Sequence, residues 1–162
     1  MRLALVPAVL LLVAGLARPA AAQEAFALTK GQMVYVPVYS HILHGNLDSR
    51  GQPMTLLLSS MLSIRNTDPA HGMTVKSARY YDTGGKLLRD FVSAPIRLGA
   101  MASTEFFVEH KDMSGGSGAN FVVEWSSDQP INPPLIETVN AYFFGTQSVA
   151  FTSPGRPIHP RP

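Results

Sequence analysis

Asn120-Phe121-Val122-Val123-Glu124-Trp125-Ser126 is the stretch on which the fold turns. In an extended chain, successive side chains point to opposite faces. Phe121, Val123 and Trp125 therefore share one face, with Asn120, Glu124 and Ser126 opposite. The pattern predicts a strand over Phe121–Trp125 that is apolar inside and polar outside, with Trp125 packed between two sheets. A helix would need apolar residues every three to four positions, and no stretch after residue 22 sustains that period.

Working outward, the same two-residue period returns in short runs bounded by Gly, Pro, Asn and Asp. Met33 to Tyr39 is one run. Its internal Pro37 cannot donate to a ladder, which predicts an edge strand or a bulge. Leu56, Leu58, Leu62 and Ile64 share a face that Ser60 interrupts. Asn66-Thr67-Asp68-Pro69 is a turn, because Asn and Asp bond their own backbone and Pro presets φ. Val75 to Tyr81 and Lys86 to Phe91 flank the tight turn Asp82-Thr83-Gly84-Gly85. Further strands are expected at Ile96–Leu98, Thr104–Val108, Ile136–Phe144 and Val149–Thr152. Together these predict an all-β, immunoglobulin-like antiparallel β-sandwich of about seven to nine strands spanning residues 23–153 as one domain. The segment 154–162, Pro-Gly-Arg-Pro-Ile-His-Pro-Arg-Pro, reads as a disordered, proline-rich tail.

Ahead of that domain, Met1-Arg2 precedes an apolar run of about 14 residues, Leu3 to Leu16, and then Ala20-Ala21-Ala22. This is the order of a secretory signal peptide over residues 1–22, cut before Gln23. The run falls short of the ~20 residues a bilayer-spanning helix needs. The expected location is therefore periplasmic or secreted, with no membrane span after cleavage. The formal charge of +2 reflects 13 Lys and Arg against 11 Asp and Glu. Loss of Arg2 and Arg18 with the signal makes the remainder neutral, and its basic residues are scattered. Nucleic acid is thereby disfavoured as a partner. The sequence has no Cys, which excludes thiol redox chemistry, a cysteine nucleophile and a zinc ribbon.

Six blocks carry a family resemblance when taken together. They are Tyr35-Val36-Pro37-Val38-Tyr39-Ser40, Ser63-Ile64-Arg65-Asn66-Thr67-Asp68, Tyr80-Tyr81-Asp82-Thr83-Gly84-Gly85-Lys86-Leu87, Ser103-Thr104-Glu105-Phe106, Ser114-Gly115-Gly116-Ser117-Gly118-Ala119-Asn120-Phe121 and Asn132-Pro133-Pro134. From about Gly31 to Thr152 the chain resembles the bacterial family called domain of unknown function 3124. That resemblance implies a small exported protein without an established activity. The run from Tyr81-Asp82 to Gly85-Lys86, with the later Leu98-Gly99 and Ser103-Thr104, also resembles bacterial immunoglobulin-like modules, and this bears on fold alone.

The candidate binding site is the loop Asp112, Ser114, Gly115, Gly116, Ser117, Gly118 and Asn120. Consecutive glycines let a backbone turn several N–H groups into one concavity, a nest for a carboxylate or phosphate. The ordinary alternative is a loop that uses Gly to turn and Ser to stay soluble. Asp112-Met113-Ser114-Gly115-Gly116 also resembles the surroundings of a serine nucleophile, but no histidine is specified as its base and no helix follows. His41 and His44 form a His-x-x-His pair without a defined third ligand for zinc or copper. Of the adjacent aromatic pairs Tyr80-Tyr81 and Phe106-Phe107, one member each should face outward. The expected function is a non-enzymatic binding or accessory domain, with an unidentified protein or small-molecule partner in the cell envelope and no cofactor. A metal-binding module at His41 and His44 comes second, and an unrecognised hydrolase third.

Overall fold

The computed structural model describes residues 27–159, and every regular element among them is a strand. The segment expected to be a signal peptide lies outside the described residues. Six strands form one sheet: β1 (Thr29–Pro37), β5 (Met73–Tyr81), β6 (Leu87–Asp90), β7 (Ile96–Leu98), β9 (Asn120–Ile131) and β12 (Arg156–Ile158). Its order is β12-β1-β9-β5-β6, with β7 also paired to β5. Four strands form the second sheet: β4 (Ser59–Arg65), β8 (Ser103–Val108), β10 (Leu135–Phe144) and β11 (Gln147–Pro154), in the order β11-β10-β4-β8. A separate hairpin pairs β2 (His41–His44) with β3 (Met54–Leu57). All pairings are antiparallel.

The quoted strand lies at the centre of the larger sheet, between β1 and β5. Phe121, Val123 and Trp125 are buried on its inner face, as the alternation predicts, and Ile131 continues that face. They join Val34, Val36, Val75 and Tyr80 from the same sheet and Leu62, Ile64, Val108 and Ile136 from the other in one core. Tyr80, Phe91 and Phe121 pack ring against ring, and Phe91 reaches across to Phe106 at 5.7 Å between centroids.

Among the described residues twelve strands stand where seven to nine were expected. The run read as one strand through Leu56–Arg65 breaks at Leu58, whose amide donates to the Ser40 carbonyl instead of a ladder. That break frees β3 to pair with β2. Pro37 does not mark an edge strand: β1 is flanked by β9 and β12, and its bulge falls at Thr29/Gly31. The proline is tolerated because β12 covers only Met33 to Tyr35. The Pro37 carbonyl meanwhile accepts a 2.6 Å bond from the Thr138 hydroxyl.

The expected disordered tail is also corrected over its described part. Pro154 ends β11, and the chain crosses at Gly155 to the other sheet, where β12 pairs with β1. Proline count misleads here because an edge strand tolerates Pro157 without losing an inner ladder. Gly155 is required at the crossing. Its amide donates to the Ile136 carbonyl at 2.8 Å, and a Cβ there would lie 2.7 Å from that oxygen and from Val34 Cγ1.

Two polar clusters anchor the sandwich. Asn140 is fully buried on the inner face of β10. Its Oδ1 accepts from the Tyr39 amide at 3.2 Å and the Ser60 hydroxyl at 2.8 Å, and its Nδ2 donates to Thr138 Oγ1 and Ser153 Oγ, both at 3.3 Å. At the opposite end, buried Asn66 donates to the carbonyls of His71 and Gly99. Asp68 there accepts from the amides of Ala70, His71 and Asn132. Those bonds, the Ala70 amide foremost, hold the Asp68 carboxyl below its ordinary value of 3.8 against the opposing effect of burial, with the neighbouring His71 also contributing.

Two outcomes follow from these clusters. Asn140→Ala leaves the Tyr39 amide without its partner and should cost about 1–3 kcal/mol or more in urea unfolding, since a buried unpaired donor carries its full desolvation penalty. For Asp68 the folded-state pKa lies below the unfolded one. Its contribution is thus complete above pH 3.8 and is lost as pH falls through the lower folded value. Asp68→Asn should be less stable at neutral pH and show a shallower acid transition by Trp125 fluorescence.

Candidate functional site

The loop between β8 and β9 is shaped from within. Asp112 Oδ1 accepts from the Ser114 amide at 3.0 Å and the Ser114 hydroxyl at 2.5 Å, closing a short turn. The Gly116 amide donates to the Met113 carbonyl, and the Gly118 amide to Thr83 Oγ1. The loop's carbonyls point inward. Gly115 O accepts from the Thr83 amide and hydroxyl, Gly116 O from the Ser40 amide, and Ala119 O from the Val38 amide. Ser117 is exposed, and Asn120 begins β9 opposite Pro37 and Tyr81. The amides of residues 114, 116 and 118 are thus committed to acceptors inside the protein.

Close packing, more than turning, demands the glycines. A Cβ on Gly115 would overlap the Tyr80 hydroxyl, and one on Gly116 would come within 2.5 Å of Thr83 Oγ1. Gly116 alone in this loop has a positive φ, +77°. The Tyr80 hydroxyl lies 3.2 Å from Ser40 Oγ. Burial pushes the Tyr80 phenol above its ordinary value, the Ser40 bond opposes this, and the charge of Asp112 adds to it.

Asp112 and Ser114 form one wall of an open cleft of about 570 Å³ between β6 and the end of β8. Leu88, Phe91, Phe107 and Val108 line it with apolar surface, and Arg89, Lys111 and Glu109 with charge. β6 and β8 are the terminal strands of their sheets, so the cleft is the mouth between two sheet edges. The Arg89 guanidinium sits 4.3 Å above the Phe91 ring, and Lys111 Nζ pairs with Glu109 at 3.6 Å. Phe107 is 59% exposed while Phe106 packs against the core, and Tyr80 is buried while Tyr81 is half-buried. Each aromatic pair therefore splits inside and outside as the alternation predicts.

The other candidates do not assemble. His41 and His44 are three apart on one strand, opposite Leu57 and Met54, and so point to opposite faces. Ser114 Oγ is bonded to a carboxylate, and no imidazole is bonded to it among the described residues.

The family described as "Protein of unknown function (DUF3124)" matches residues 31–158. The chain belongs to the DUF3124 family. Its blocks, far apart in sequence, meet in two places: Ser40, Tyr80, Thr83 and Gly115–Gly118 at one end, and Asn66, Asp68 and Asn132 at the other. No curated protein matches this DUF3124 chain. Among solved structures, the crystal structure of Thermotoga maritima 1070 is similar at 10% identity and a TM-score of 0.40, over 77% of this chain and 92% of that one.

Leu88, Arg89, Phe91 and Lys111 escaped the sequence reading as site residues. The available signal was the run Arg89-Asp90-Phe91, a cation beside an aromatic at a strand end.

Gly115→Ala should destabilise the domain by about 1–3 kcal/mol through overpacking. Adding Tyr80→Phe should recover part of the loss by removing the obstructing hydroxyl, and a double-mutant cycle in urea measures that recovery.

Proposed function

We propose that the chain is an exported, non-enzymatic binding domain of the cell envelope that holds an extended segment of a partner protein in the cleft between β6 and β8. The observation that carries this reading is the exposed Phe107 at the mouth between two open sheet edges. An extended chain laid there meets unpaired backbone groups along an edge and apolar surface beneath it, the chemistry of strand addition. Arg89 and Lys111 on one hand, and Glu109 and Asp112 on the other, favour a segment carrying both charge signs. The loop 112–118 suits the role of a rigid wall, because its own bonds leave it little freedom to rearrange on binding.

Export rests on residues 1–22, and the non-enzymatic reading on the internal bonding of Ser114 and the divergence of His41 from His44. A photo-crosslinker placed at position 107 should trap a discrete partner in native cell envelopes, whereas the same group at Leu135, at the far end of the sandwich, should not. Arg89→Glu should weaken that capture about tenfold or more, roughly 1.4 kcal/mol. Equal products at 107 and 135, or none at either, reject the cleft as the binding surface.

A further inference from the structure

Phe143 and Phe144, at 73% and 74% exposure, are the most exposed large apolar side chains among the described residues. They end β10 at a tight hairpin, where Phe144 pairs with Gln147 across Gly145 and Thr146, and Gly145 takes a φ of +56°. Adjacent strand residues point to opposite faces, so the two rings project on both sides of the tip. Tyr142 joins Phe144 on one side, with ring centroids 6.5 Å apart. A flat protein surface or the matching face of a second copy covers one side of such a hairpin. A bilayer surface surrounds the tip and buries both.

The electrostatics fit the same occupant. From Thr138 to Gly155 the sequence has no charged residue, so the hairpin takes no ammonium, guanidinium or carboxylate below the headgroups to the acyl boundary, where such charges are costly to desolvate. A second apolar projection springs from the same end of the sheet. β3 enters β4 through Leu58 at Ser59, Ser59 pairs with Ala141, and β10 runs on from there to Phe144. On that second hairpin Leu43, Leu47 and Met54 are exposed, while Asp48 is occupied in capping its own turn through the amides of Arg50 and Gln52.

We propose that the domain docks on a lipid bilayer surface through the tip of the β10–β11 hairpin, with the β2–β3 hairpin as a second foot. Tyr142 suits the level of the headgroups, where tyrosine is enriched, and Phe143 and Phe144 the acyl boundary about 5–10 Å into the interface. No basic cluster accompanies it, so apolar burial drives the association. The docking requires no anionic lipid and is insensitive to salt.

The test places an indole at the tip of the full chain with Phe144→Trp, and in a second chain at the other end of β10 with Leu135→Trp. Both are mixed with phosphatidylcholine vesicles carrying nitroxide-labelled lipid. Trp125, buried in the core, reports that each variant is folded. The tip indole should shift to the blue and be quenched equally at low and high salt. Adding Phe143→Ser should cut that quenching severalfold, and the indole at position 135 should stay unquenched. Because the readout is local, a chain held on vesicles only by its apolar residues 3–16 quenches neither position, and that result overturns the proposal. Quenching that vanishes in high salt overturns it as well, as does a blue shift that depends on protein concentration but not on lipid, which assigns the tip to a second copy. Arg89→Glu in the cleft should leave tip quenching unchanged, which separates this outcome from that of partner capture.

Discussion

The side chain of Asn140 sets the terms for the rest of the molecule. A carboxamide on the inner face of a sheet is costly unless its oxygen and nitrogen are both engaged, and here each has two partners. One of them, the Tyr39 amide, belongs to the chain just as it leaves the larger sheet. Fixing Tyr39 fixes Ser40, whose amide, carbonyl and hydroxyl meet Gly116, Leu58 and Tyr80 respectively. Gly115 and Gly118 are then locked against Tyr80 and Thr83. A polar group buried in β10 thereby governs the shape of a loop that begins some thirty residues earlier in the chain. The same bonds explain Ser60, which interrupts an otherwise apolar face because Asn140 needs a hydroxyl opposite it.

The two ends of the sandwich are finished differently. At the Asp68 end, side chains stitch the turn after β4 to the loops before β8 and β10, so three connections are held by one carboxylate and one carboxamide. At the other end Ser40, Tyr80 and Thr83 hold the loop 112–118, which Asp112 also closes on itself. Beyond it lie the cleft, with Phe107 at its mouth, and two hairpins that carry apolar side chains into solvent. Bonded connections resist local opening, whereas sparsely bonded projections open and adapt at lower free energy. Anchored connections beside freer hairpins suit the proposed binding role, since the anchored part needs no ordering when a partner docks.

The cleft also shows how an edge problem becomes a surface. Sheet edges expose unpaired backbone groups, and proteins shorten or charge them to prevent unwanted pairing. β6 has four residues and carries Arg89 and Asp90, and β8 carries Glu105. Where the two edges converge, Phe91, just after β6, packs on the core and the Arg89 guanidinium caps its ring. Of the charges that guard the edges, Arg89 also lines the cleft, where Glu109, Lys111 and Asp112 from the loop after β8 join it.

Local chemistry made much of this legible without coordinates. The two-residue period in Phe121, Val123 and Trp125 determined a buried face, because alternation follows from the geometry of an extended chain wherever that chain ends up. The turns at Asn66–Pro69 and Asp82–Gly85 were equally local, written in side chains that bond their own backbone, and the splitting of Phe106 from Phe107 followed from the same alternation. The candidate loop was open to two readings from its sequence, a nest of amides for an anion and an ordinary turning loop. The amides of Gly116 and Gly118 are spent on Met113 and Thr83, that of Ser114 on Asp112, and the missing Cβ atoms make room for Tyr80 and Thr83. Only the tertiary structure decided that use, because Thr83 and Gly118 lie thirty-five positions apart and meet through the register of β5 on β9. The cleft was hidden for the same reason: Arg89 and Lys111 acquire a common surface only when the edges of two sheets are brought face to face. Pro154 to Ile158 marks the same boundary from the other side. Its composition reads as disorder, and pairing with β1 makes Arg156 to Ile158 a strand, because an edge position asks little of a proline and sequence composition carries no information about which strand is at an edge.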